Sequence, residues 1–177
     1  MRQIIQLTER LVRRCQRGDE RARYALYKQF VGGMYNVAYR IVGNQFDAEE
    51  VVQDAFVKAF NKMTDLKDVN AFAGWLKQIV VNQAISLIRK QNRLQVSMES
   101  IDELPDIEEE QIDLDWPMQM VMEAVMALPE GARVVFSLRI IEGYKFNEIA
   151  QITGQTVNNC KVQFHRSKKL LSAKLKK

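Results

Sequence analysis

Proline is nearly missing from this chain of 177 residues, with only Pro105, Pro117 and Pro129 present. Histidine occurs once, as His165, and cysteine twice, as Cys15 and Cys160. Each scarcity excludes something. One histidine and two cysteines far apart, without CxxC spacing, do not make a metal site. No Ser/His/Asp arrangement and no glycine-rich phosphate loop is present, so neither an enzyme nor a cofactor-binding protein is expected. No stretch approaches the roughly 20 apolar residues of a membrane span, so no membrane insertion is expected. The opening segment carries five arginines by Arg17 and no apolar core of a secretory signal. A cytoplasmic protein with two buried, reduced thiols is expected. Alternating β-branched runs are also missing, which excludes a sheet-based fold.

Charge is unevenly spread. Residues 1–98 hold 16 Lys/Arg and 9 Asp/Glu, residues 99–132 hold no Lys/Arg and 11 Asp/Glu, and residues 133–177 hold 10 and 2. Two basic bodies therefore flank an acidic connector. Basic bodies suit a polyanion. The connector suits either a solvated linker or a segment lying against something basic.

Apolar residues recur at helical spacing almost throughout, and at 47% they suffice for real cores. Helices are expected at about 8–16, 20–42, 47–62 and 71–92, with Gly18-Asp19 and Gly43-Asn44 as breaks and Asp47 as an N-cap. From 94 to 115 the period fails and acidic residues dominate, as in an interdomain linker. Helical pattern resumes at Met118. Pro129 falls in the first turn of a helix that Gly143 ends. The expected fold is all-α: a helical domain over 1–94, a flexible acidic linker over 95–116, and a second helical domain over 117–177.

Residues 146–172 read as a helix-turn-helix. Gly154 sits at the turn, where only glycine adopts positive φ without cost. The second helix is expected to turn Val157, Cys160, Phe164, Leu170 and Leu171 toward a core. Its other face shows Asn158, Asn159, Lys161, Gln163, Arg166, Lys168 and Lys169. Amides and cations reach base edges and phosphates, so duplex DNA is the expected ligand.

Two other stretches carry chemistry. On the helix from Asp47, Glu50, Gln53 and Asp54 fall at i, i+3 and i+4 and form one stripe, opposite a buried stripe of Val52, Phe56, Ala59 and Phe60. That acidic row fits either solvent or a basic helix of a protein partner. Further on, Trp75, Ile79 and Asn82 are spaced i, i+4 and i+7. Trp75 and Ile79 read as core. Asn82 reads as a surface amide or a base reader, with Arg89 and Lys90 extending a basic end.

In order and separation, these stretches resemble the extracytoplasmic-function sigma factors, a compact class of bacterial transcription initiation factors. The family pattern DAEDLVQETF corresponds to 47–56. A WL pair, an asparagine seven residues after the tryptophan and a basic pair correspond to 75–90. LPE, EGY, EIA, G, TV, K and HR correspond to 128–166. The resemblance covers about 20–172.

The resemblance implies roles. The first domain would be sigma region 2, docking through Asp47, Glu50, Gln53 and Asp54 on the clamp helices of core RNA polymerase, with its beta and beta-prime subunits as partners. Lys67, Asn70, Asn82, Arg89 and Lys90 would handle the melted minus-ten element, where a non-template base leaves the stack. The second domain would be region 4. Its helix would enter the minus-thirty-five major groove with Thr156, Asn158, Asn159, Lys161 and Val162. Gln163, His165, Arg166 and Lys169 would continue that contact, and the domain's apolar faces would meet the polymerase flap. Promoter DNA and an anti-sigma factor complete the implied partners. Departures from the family pattern are Ser86 for Asp, Asn159 for Thr, Cys160 for Val, and Val162 and Gln163 for Ser and Arg. The carboxamides of Asn158, Asn159 and Gln163 are expected to favour adenine. A free-standing helix-turn-helix regulator is the competing reading of the same chain.

Overall fold

The computed structural model describes residues 2–91 and 117–175. The expected linker and the last residues of the first domain lie outside them. Among the described residues there are eight α-helices and no strand, so the fold is all-α. The chain divides into two compact units, Met1–Leu87 and Ile88–Lys177.

The first unit is built from α1 (Arg2–Gln16), α2 (Glu20–Val42), α3 (Gln45–Asn61) and all but the last turn of α4 (Phe72–Lys90). Two breaks set its path. Gly18 takes φ 85°, and Asp19 caps α2 by accepting from the Ala22 N–H at 3.1 Å. Gly43, at φ 84°, then closes α2 by donating to the Tyr39 carbonyl. Asn44, not Asp47, is the N-cap of α3. Its extended backbone and short carboxamide suit that position, and its Oδ1 accepts from the Asp47 N–H at 2.9 Å. The Asp47 carboxylate in turn accepts from Asn44 Nδ2 at 2.7 Å, which holds the capping carboxamide in place.

The core of this unit is aliphatic and aromatic. Val12, Leu26, Ile41, Phe72, Leu76 and Val80 are buried to within 2%. Tyr27 meets Phe56 edge-on at 4.9 Å, and Phe30 meets Phe72 at 5.3 Å. On α3 the expected stripe is present in Val52, Phe56 and Ala59, with Phe60 half-buried beside Phe56. On α4 the register is shifted. Phe72, Leu76 and Val80 occupy the core, while Trp75 and Ile79 are only half-buried. The Trp75 ring lies at the margin of that interior, tilted against Phe72 at 6.2 Å.

The second unit holds α5 (Met118–Met126), α6 (Glu130–Phe136), α7 (Phe146–Thr153) and α8 (Val157–Leu175). The helix expected to reach residue 142 is α-helical only to Phe136. It continues as a π-helical turn, Ser137–Ile141, before Gly143 at φ 81°. Pro129 is the N-cap of α6 rather than its first residue. Val121, Ala124, Val125, Leu128, Phe136 and Leu171 form the core, with Phe164 and Leu175 packed against it. On α8, Val157 and Leu170 are 36% and 39% exposed, contrary to expectation, and Ser167 is fully buried. At 100° per residue, Cys160, Phe164, Ser167 and Leu171 fall at i, i+4, i+7 and i+11 and share one stripe. The Ser167 hydroxyl is accommodated by donating to the Phe164 carbonyl at 2.6 Å.

Candidate nucleic-acid interface

The α7–α8 element is fixed by local bonds. Glu148 Oε2 accepts from the Lys145 N–H at 2.7 Å at the start of α7. Gly154, at φ 68°, ends α7 in the left-handed conformation. Thr156 begins α8: its Oγ1 accepts from the Asn159 N–H at 3.1 Å. The Thr156 hydroxyl is therefore an N-cap, whatever else it touches. Behind the turn, buried Thr153 donates to the Ile149 carbonyl at 2.7 Å. Burial also pushes the neighbouring Cys160 thiol up from its ordinary pKa.

The ring of Phe164 anchors α8. It lies 6.2 Å from Phe136 and 5.5 Å from Phe146. The Lys168 ammonium sits over Phe164 at 5.8 Å, and the Arg139 guanidinium over Phe146 at 5.1 Å. With that stripe buried, the opposite face is set. Asn158, His165, Arg166 and Lys169 are exposed on it, and Asn159, Lys161, Val162 and Gln163 are half-buried at its edges. Gln163 turns back toward α6: a methyl on Gly131 would lie 3.3 Å from its carboxamide carbon. Of the three carboxamides expected on one face, only Asn158 is fully on the outward row.

In the first unit, Glu50, Gln53 and Asp54 are all exposed on α3. Asp47 is half-buried and engaged with Asn44, so it does not join them fully. Sequence reasoning missed two neighbours. Phe46 and Val57 are 85% and 60% exposed. With Glu50 and Gln53 they follow i, i+4, i+7 and i+11, the spacing of a helix seam. That spacing was the available signal.

The α3–α4 connection contains two 3₁₀ turns, Met63–Asp65 and Val69–Ala71. Met63, Leu66 and Val69 bury their side chains. Gln16, at the end of α1, donates from Nε2 to the carbonyls of Met63 and Leu66, at 3.2 and 3.0 Å. Asp68 accepts from the Asn70 N–H at 3.0 Å and from its carboxamide at 3.2 Å. The loop is thus pinned from inside while Lys67 and Asn70 remain exposed. On α4, Asn82, Ser86, Arg89 and Lys90 are exposed as well. The sequence did not reveal Gln16 as the loop's support, since its partners are 47 and 50 residues away.

Among the described residues, no group of three His, Cys, Asp or Glu side chains could hold a metal, and no helix is long and apolar enough to cross a membrane.

The second unit thus carries a helix-turn-helix with a cationic outer face, and the first carries an acidic row and a pinned polar loop. Residues 26–94 match the Sigma-70 region 2 family, and residues 118–171 match Sigma-70, region 4. The chain is 32% identical over 145 residues to the RNA polymerase sigma factor SigV of Bacillus subtilis (strain 168), covering 81% of this chain and 84% of that one. It is 30% identical over 183 residues to the ECF RNA polymerase sigma-E factor of Escherichia coli (strain K12), covering 96% and 95%. Its fold resembles that of CnrH in complex with the cytosolic domain of CnrY, with a TM-score of 0.55 at 24% identity over 96% of this chain and 97% of that one. It also resembles the sigma factor RpoE in complex with the anti-sigma factor NepR from Bartonella quintana, with a TM-score of 0.54 at 23% identity over 86% and 96%. The chain belongs to the ECF sigma factor family.

Proposed function

We propose that this sigma factor docks on core RNA polymerase through the exposed face of α3, places it on a two-part promoter and helps open the minus-ten element. The observation that carries the reading is the exposed row of Glu50, Gln53 and Asp54 on a helix of an otherwise basic body. An acidic row repels DNA and attracts a basic helix of a protein.

The functional division follows 1–94, a linker over 95–116, and 117–177. The 63–71 loop and α4 handle the opened strand with Lys67, Asn70, Asn82, Arg89 and Lys90. A base leaving the stack costs a few kcal/mol, which contacts in a pocket offset for a favoured sequence. In the second body, α8 enters the minus-thirty-five major groove with Asn158, His165, Arg166 and Lys169 outermost. Nucleotidyl transfer belongs to the polymerase. An anti-sigma protein is proposed as the regulatory partner, as NepR is for RpoE of Bartonella quintana.

Run-off transcription with purified core polymerase and a genomic fragment library tests the reading. Specific starts only when this chain is added support it. Duplex binding without starts supports the free-standing regulator instead. The double variant E50K/D54K is expected to abolish core binding with unchanged helicity, because both sites are exposed. Retained core binding overturns the docking assignment.

A further inference from the structure

The hairpin of α1 and α2 carries a cationic surface that neither docking nor the promoter contacts above use. Residues 1–25 precede the segment matched to Sigma-70 region 2. Arg10, Arg13 and Arg14 follow i, i+3 and i+4 on α1, Arg17 comes directly after the helix ends, and all four are exposed. On the first turns of α2, Arg21, Tyr24 and Lys28 follow i, i+3 and i+7 and are also exposed.

Folding gives little reason for this arrangement. Like charges three and four residues apart on one helix repel. Part of the charge is answered locally: Arg13 pairs with Glu9 at 2.9 Å, and Arg14 with Asp19 at 2.6 Å. The helix dipole also favours Arg13 and Arg14 in the last turn of α1. Neither explanation covers Arg10 or Arg21, while Arg17, directly past the end of α1, shares the favourable end of the dipole. Arg21 lies in the first turn of α2, where the dipole disfavours a cation. Glu20 is the remaining carboxylate of the hairpin, beside Arg21 in sequence.

The side-chain types point to phosphate. Every cation before Lys28 is an arginine. The planar guanidinium binds phosphate through two parallel hydrogen bonds, which lysine cannot do. Between Arg21 and Lys28 on α2, Tyr24 exposes 64% of its surface, with the Lys28 ammonium 5.6 Å from its ring centroid. An exposed ring among cations suits an unpaired base stacked on it, a contact that duplex DNA does not offer.

We propose that the α1–α2 hairpin is a second nucleic-acid surface. It takes single-stranded DNA, with Arg10, Arg17 and Arg21 on phosphates and Tyr24 stacked on a base. It goes beyond the promoter contacts proposed above.

Fluorescence anisotropy of the full chain with a labelled mixed-sequence single strand, across a salt series, tests this. Each lost phosphate contact lowers the slope of log K against log salt by about 0.7 for single strands. The variant R10A/R17A/R21A is therefore expected to lose about 2 from the slope. Y24A is expected to lose about tenfold in affinity at unchanged slope, with Y24F close to the parent. Binding of the matching duplex should be insensitive to Y24A. All four sites are exposed, so melting temperatures should hold. Unchanged slope and affinity in the arginine variant overturn the proposal. It is equally overturned if that variant keeps DNA binding and loses binding to a labelled polyglutamate peptide, which would make the surface a protein site.

Discussion

Removing the Gln16 carboxamide should loosen the polar loop without dismantling the domain that carries it. Gln16 Nε2 bonds two carbonyls, Met63 O at 3.2 Å and Leu66 O at 3.0 Å. An intramolecular hydrogen bond contributes about 0.5–1.5 kcal/mol net, so the pair contributes about 1–3 kcal/mol. The site is only partly buried, so water reaches the freed carbonyls and the lower half of that range applies. A loss near 1.4 kcal/mol is about a tenfold change in a local opening equilibrium. In Q16A, the amides of Asp65, Leu66 and Ala71, which bond within the loop, should exchange hydrogen about tenfold faster under native conditions. Amides in the middle of α2 and α3 should be nearly unaffected. Q16E should be worse than Q16A, because a carboxylate presents acceptors to two acceptors. Amide-resolved hydrogen exchange by NMR reads all of this directly. Unchanged loop protection in Q16A, or acceleration spread evenly over the whole unit, would refute the view that Gln16 pins this loop.

Two further outcomes follow from local geometry. T156V removes the hydroxyl that caps α8 and should destabilise the second unit by about 1 kcal/mol in urea unfolding, with T156S close to the parent. Cys15 is 3% exposed, and burial pushes its thiol from an ordinary 9.0 up to about 11. A raised folded pKa favours the neutral thiol, so its stabilisation is complete below the unfolded value and is lost as pH rises through the 9-to-11 window. Alkaline melting curves should show that loss, C15A should lack it, and aromatic disulfide reagents at pH 8 should label Cys15 only as fast as the domain opens.

The fold class, the two helical bodies and most helix ends were legible because their signals are local. Gly18, Gly43 and Gly143 stop helices through a positive φ that no neighbour has to supply. The acidic row on α3 was legible because three and four residues on a helix always share a side. Other features were not legible for stated reasons. Asn44 displaced Asp47 as the N-cap because both side chains can cap, and their reciprocal bonds decide which does. Trp75 and Ile79 left the core because a helix with apolar residues on adjacent stripes can turn either one inward, and only packing against distant side chains such as Phe30 selects. Leu170 and Ser167 exchanged the roles their hydropathy suggests, because the Phe164 stack sets the rotation of α8.

The sequence by itself therefore determined what is periodic and local: an all-helical chain, a helix-turn-helix with amides and cations opposite its apolar stripe, and an order of motifs that places it among ECF sigma factors. Tertiary structure decided what depends on residues distant along the chain. It turned Gln163 toward Gly131 and left Asn158 outermost. It gave the Met63–Leu66 carbonyls to Gln16, and it left Phe46 and Val57 bare beside the acidic row. Helical spacing says which side chains travel together. Only packing against a distant partner says which of them meet solvent, and therefore which can meet DNA or polymerase.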